Sequence, residues 1–160
     1  MAIEFMSAGI KIGYAQEAVA GTRPTAPGDY TRIRGVKGTS SLNATPGTLE
    51  VTDYNDTVFA RYIDDLIDID GAFELSVNLT DELLDDWDDI VTLYETGLNA
   101  GLQMWFVMWF PRLQRSFYIR GNPSPTGAPE TSLRAVVETT VSVTPTMIHG
   151  WDVPNEPVEP

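Results

Sequence analysis

Hydrophobic and polar positions alternate with a period of two along much of the chain. In residues 71–79, GAFELSVNL, Phe73, Leu75, Val77 and Leu79 point one way while Glu74, Ser76 and Asn78 point the other. Successive strand side chains face opposite sides, so this pattern predicts a half-buried strand. In SLRAVVETTVSV (132–143), Leu133, Ala135, Val137, Val141 and Val143 alternate with Arg134, Glu138, Thr140 and Ser142, which predicts another. RSFYIRG (115–121) predicts a shorter one, and the turn-rich NPSPTGAPETS (122–132) reads as the hairpin connection between the two. LQMWFVMWF (102–110) is apolar on both faces, so it is expected to be covered on both sides by the fold or by a neighbour, and Pro111 suits its exit from a sheet. GIKIGYAQ (9–16) and YTRIRGVKG (30–38) are weaker strands separated by a loop with Pro24, Pro27 and Gly28.

One segment changes period. Leu83, Leu84, Trp87, Ile90, Val91, Tyr94 and Leu98 recur at helical spacing and predict an amphipathic helix over about 81–97. Thr80 is placed to cap its start, Asp81 and Glu82 lie where the helix dipole favours negative charge, and Gly97 is placed to stop it. The final stretch, TPTMIHGWDVPNEPVEP, is rich in proline and glutamate without periodicity. It is expected to be an extended tail, disordered alone or ordered only against a neighbour. The expected division is therefore a domain over 1–144, including an N-terminal arm, and a tail over 145–160.

Charge sharpens this picture. The net charge is -13, and from Glu50 to Asp89 fourteen acidic residues face Arg61 alone, so the whole imbalance lies in that block. Such a block opposes a grip on nucleic-acid phosphates, which needs lysine and arginine. It is compatible with passage of DNA without sticking, and a solvated acidic surface that keeps the protein soluble is sufficient to account for it. With no cysteine, disulfide frameworks and zinc–thiolate sites are impossible. The start, MAIEFMSAGIKIG, lacks the basic residues and continuous apolar run of a secretory leader, and no apolar run approaches the ~20 residues of a membrane helix.

Candidate chemistry is thin. Asp85, Asp86 and Asp89 match an Asp-Asp-x-x-Asp magnesium motif, but such sites need further ligands on facing helices, and only one helix is predicted. The four aspartates Asp85, Asp86, Asp88 and Asp89 are read as the solvated side of that helix. Asp68, Asp70 and Gly71 fall in register with a calcium loop whose first and last ligand positions are Leu66 and Val77, which cannot ligate. His149 is the only histidine, which leaves little for nucleophilic catalysis. The expectation is a non-enzyme with no metal and no cofactor. Trp105, Phe106, Trp109 and Phe110 are read as core or subunit interface.

The order of these pieces resembles the major tail tube proteins of long-tailed, siphovirus-type bacteriophages. The resemblance rests on Gly9 to Glu17, on the Glu-Val-Thr-Asp turn within Leu49 to Asp53, and on the Tyr-Ile-x-x-Leu-x-Asp strand from Tyr62 to Asp68. Gly71 to Glu74, the single helix and the late strands complete it. It implies a mainly β fold, a β-sandwich or barrel with one flanking helix, in a virion protein assembled in the host cytoplasm. Such subunits form six-membered rings that stack into a tube around DNA and a tape-measure protein, bounded by tail initiator or distal tail and terminator proteins, with no membrane insertion. Asp70, Glu74, Ser76 and Asn78 are then candidates to face the lumen. Leu49, Val51, Thr52, Asp53 and Tyr54 are candidates for a ring-stacking loop, and the turn-rich segment from Thr45 to Asp56 is expected to be mobile in a monomer. The alternatives are a tube protein of a contractile injection or secretion machine and a β-barrel that binds a small molecule in an apolar interior cavity.

Overall fold

The computed structural model describes residues 8–69 and 71–160. The described chain forms strands β1 (Lys11–Gln16), β2 (Thr31–Arg32), β3 (Val36–Thr39), β4 (Ala44–Glu50), β5 (Tyr62–Ile69) and β6 (Phe73–Asn78), then helix α1 (Asp81–Leu98). Strands β7 (Met104–Trp109), β8 (Ser116–Pro123) and β9 (Glu138–Asp152) follow. Seven strands make one antiparallel sheet in the order β2-β1-β7-β8-β9-β6-β3, while β4 and β5 pair only with each other.

That strand order forces the sheet to curl. Laid flat, its outer strands would lie roughly 29 Å apart at about 4.8 Å per neighbour. They are joined by Ile33, Arg34 and Gly35 alone, a link that reaches about 14 Å at most. The sheet bends over, aided by register shifts between β8 and β9 at Tyr118/Ile119 and Arg120/Gly121. Its two halves then face each other across one core. Ile12, Met104 and Phe106 meet Phe73, Leu75, Val77, Val141 and Val143 there, and the Leu83–Trp87–Ile90 stripe of α1 packs into the same cluster. The result is a sandwich made from one folded sheet with a flanking helix, its edges not hydrogen-bonded into a barrel.

Gly121 marks the crossing of β8 and β9. A Cβ there would stand 2.6 Å from Val143 Cγ1 and 2.8 Å from the Thr144 carbonyl oxygen, and the backbone atom cannot swing aside. Gly121→Ala is expected to cost about 1–3 kcal/mol through overpacking, read as a lowered urea midpoint with an unchanged slope.

The other face of β1, β7 and β8 carries a second cluster of Ala15, Tyr30, Trp105, Val107 and Tyr118. Thus β7 is covered on both sides by its own chain. Part of that cover comes from the C-terminal residues, which differ from the sequence expectation. Strand β9 runs through residue 144 to Asp152, so no break falls there. Beyond it, Val158 bridges Thr31 in parallel, Asn155 Nδ2 donates to the Ala26 carbonyl at 3.0 Å, and Lys11 and Arg32 pair with Glu156 and Glu159. Proline and glutamate hid this because the contacts are made by a peptide edge and by side-chain ends rather than by an apolar period.

Three local expectations also change. β9 begins at Glu138, and Leu133, Val136 and Val137 stand exposed before it, so the alternation over 132–137 is not a strand. YTRIRGVKG splits at Gly35, at φ 77°, into the two opposite edges of the sheet. The Thr80 hydroxyl caps α1 by accepting from Leu83 N–H at 3.1 Å, but Gly97 is a buried residue within the helix and Asn99 caps its end. Gly97 serves close approach instead, since a Cβ there would collide with the side-chain amide of Gln16.

Candidate assembly surfaces

The β4–β5 ribbon is built from alternating side chains, but among the described residues none of them belongs to a core cluster. Its register pairs Pro46 with Ile67, Thr48 with Asp64, Leu49 with Ile63 and Glu50 with Tyr62, with a bulge at Gly47. Only glycine fits that bulge, because a Cβ would stand 2.7 Å from the Leu66 carbonyl oxygen. One face therefore presents Pro46, Leu49, Ile63 and Ile67 with Asp65 between the two isoleucines, while the other mixes Glu50, Thr48 and Asp64 with Tyr62 and Leu66. Leu66 is 83% exposed and Ile67 64%, and Phe59 near the tip is 81% exposed.

The expected ring-stacking residues all lie on this ribbon. Leu49 is within β4, whereas Val51, Thr52, Asp53 and Tyr54 form the start of its tip. The segment from Thr45 to Asp56 is therefore half strand rather than one long turn. Its tip is held by Arg61, which reaches Asp53 at 3.1 Å and Asp56 at 2.7 Å while its backbone N–H donates to the Thr52 hydroxyl. That clasp fixes two carboxylates of the acidic block.

The candidate lumen residues lie on β6. Glu74 and Ser76 are exposed, opposite Ser142 and Thr140 of β9, whereas Asn78 is half-buried opposite Glu138. Lys37 of β3 pairs with Glu138, which continues the polar face to the sheet edge. The fourth candidate, Asp70, lies outside the described residues.

The aspartates of α1 are not equivalent. Asp85, Asp88 and Asp89 are exposed, but Asp86 is half-buried and receives Arg34 Nε at 3.0 Å and Nη2 at 2.9 Å. That two-pronged pair ties the helix to the β2–β3 link and occupies the carboxylate a metal would use. Asp86→Asn is expected to lower the melting temperature more than asparagine at Asp85, Asp88 and Asp89 together, with the difference shrinking in high salt.

Sequence reasoning missed Glu17. Its carboxylate is 1% exposed, accepting from Trp105 Nε1 at 2.8 Å, Gly21 N–H at 2.9 Å and Gln103 N–H at 3.2 Å. These bonds fasten the loop after β1 to β7. Nearby, Arg23 stacks on the Tyr118 ring and pairs with Asp152, which also meets His149 Nε2 at 2.8 Å. Burial pushes the Tyr30 and Tyr118 phenols above their ordinary value. No sequence period marks these partners. They act in fastening loops, and among the described residues no cluster of three or more His, Asp or Glu side chains could hold a metal.

Comparison with known proteins places the fold. No family model and no curated protein matches the chain. A chain of the anti-feeding prophage baseplate, from a six-fold symmetrised cryo-EM structure, aligns at 10% identity over 94% of this chain and 97% of that one, with a TM-score of 0.60. A chain from the tail of an empty GTA particle, refined with C6 symmetry, aligns at 10% identity over 94% and 98%, with a TM-score of 0.55. The protein thus shares a mainly β, one-helix fold with these two chains. These neighbours come from a prophage baseplate and from the tail of a GTA particle.

Proposed function

We propose that this protein is the tail tube subunit of a long-tailed bacteriophage, polymerising as stacked hexameric rings that enclose the DNA path. The observation that carries the reading is the β4–β5 ribbon. A two-stranded ribbon alone is marginally stable in water, and this one exposes Leu49, Ile63, Leu66, Ile67, Tyr62 and Phe59. An apolar surface of that kind marks a contact to be covered by another molecule. Identical copies joined head to tail generate rings or open filaments, and the six-fold and C6 symmetry of the two neighbouring structures supports rings of six. DNA and a tape-measure protein would occupy the lumen, with initiator and terminator proteins at the tube ends, in the virion. Negative-stain images of concentrated protein, with and without the co-expressed tail initiator, should show rings or hollow tubes. Compact monomers in both preparations would overturn the reading.

In this assembly Asp70, Glu74, Ser76 and Asn78 belong to the lumen side and α1 to the outside. Glu74 repeated around each ring would repel phosphates over about 8 Å at physiological salt. Glu74→Lys is expected to assemble yet retain DNA, with retention relieved by added salt. Asp88→Lys, on the exposed side of α1, should leave DNA ejection near normal. Equal ejection by the two variants at every salt concentration would remove the lumen assignment.

A second reading, a tube protein of a contractile injection machine, is favoured by the likeness to the anti-feeding prophage baseplate chain. Mass spectrometry and nucleic-acid assay of purified particles separate the two: the first reading requires this chain among the most abundant components of DNA-filled particles.

A further inference from the structure

The ribbon is one half of a contact, and the body of the molecule carries a surface of complementary character. Six of the ten basic residues are ion-paired within the chain: Lys11, Arg23, Arg32, Arg34, Lys37 and Arg61. Arg112 and Arg115 make no ion pair among the described residues, and both are exposed on the turn between β7 and β8, whose sequence PRLQR contains no acid. Beside them Trp151, half exposed on β9, packs on Phe110 at 5.5 Å and on Phe117 at 5.3 Å between ring centroids. Trp151 lines two adjoining open clefts, one floored by Phe73, Met108 and Phe117 and one walled by Leu113 and Arg115. This is an aromatic platform with the uncommitted Arg115 in its wall and Arg112 on the same turn, in a chain of net charge -13.

The ribbon has the opposite features. Its exposed aliphatics alternate with Glu50, Asp64 and Asp65, none of which has a cation partner among the described residues. Apolar area matches apolar area, and uncommitted carboxylates match uncommitted guanidiniums. Arginine fits the role because its planar head pairs with carboxylates while stacking on aromatic faces. Residues 39–43, which lead into β4, line the first cleft, but no residue of β4 or β5 lines either one, and among the described residues β4 and β5 pair only with each other.

We propose that the Trp151–Arg112–Arg115 platform receives the β4–β5 ribbon of a second copy. This rests on the tube-subunit reading and names the surface through which one subunit grips the next. The contact is heterologous, each copy offering a ribbon and a platform, so it propagates rather than closing as a dimer.

The absence of cysteine makes the test clean. Ile63→Cys combined with Leu113→Cys, oxidised under assembly conditions, should give a ladder of covalent oligomers. Ile63→Cys with Leu133→Cys, on the loop before β9, should not. A fast-migrating monomer would mean that the ribbon folds onto its own platform and would overturn the proposal, as would no bond or an equal ladder from the control. Independently, Arg112→Glu with Arg115→Glu should raise the concentration needed for pelletable polymer by about tenfold. Asp64→Arg with Asp65→Arg in the same chain should restore it. Native pelleting by the arginine double variant would refute the platform while leaving the tube reading intact. Absence of polymer from the unaltered protein, with no ladder, would fail that reading itself.

Discussion

Ile63→Asp with Ile67→Asp is expected to abolish polymerisation while leaving the fold of the subunit unchanged. Both side chains lie on the more apolar face of the ribbon, on either side of Asp65, at least half exposed in the isolated chain and outside both core clusters. Charging them therefore removes nothing from the core, and exposed substitutions of this kind usually shift stability by no more than about 0.5 kcal/mol. Across a subunit contact the same change buries two unpaired carboxylates, each costing several kcal/mol, and every contact in a polymer carries the loss. Sedimentation should show a monomer at concentrations where the unaltered protein pellets, with overlapping thermal melts. If instead the melt shifted by many degrees, the ribbon would be part of the subunit core. If polymer persisted, the ribbon would not be the assembly contact.

Trp87→Ala is expected to have the largest effect on the subunit itself. Trp87 is fully buried at the centre of the α1 stripe, and its Nε1 donates to the Ser124 carbonyl at 2.7 Å, which joins the helix to the loop leaving β8. Truncation creates a cavity among Leu83, Ile90 and the sheet residues and strands a carbonyl, which together cost about 3–5 kcal/mol. For a chain of this length each kcal/mol moves the midpoint by about 2–4 °C, so the melt should fall by about 6–20 °C. Trp87→Phe keeps most of the volume and loses the hydrogen bond, so it should fall between the two. A drop of only a degree or two for alanine would mean that the helix is an ornament on a self-sufficient sheet.

The pattern of residues along the chain determined the elements whose burial is periodic. Phe73, Leu75 and Val77 face the core because alternation leaves a strand no other way to hide them. Leu83, Trp87 and Ile90 do so because their spacing puts them on one side of a helix. The acidic block was equally legible, as was the doubly apolar β7. The periods misled where burial is not periodic: Leu133 and Val137 alternate in sequence but stay exposed, and Leu98 continues the helical stripe yet lies half exposed at the helix end. What the tertiary structure alone decided are relations between distant segments. Arg34 singles out Asp86 from four similar aspartates, Glu17 finds Trp105, and the unperiodic C-terminus docks on β2 through backbone hydrogen bonds. The ribbon and platform likewise depend on which strands the sheet accepts and which it leaves outside. A local pattern records which side of an element is apolar, whereas pairing and coverage are set by chain connectivity and by what fits in the space that remains.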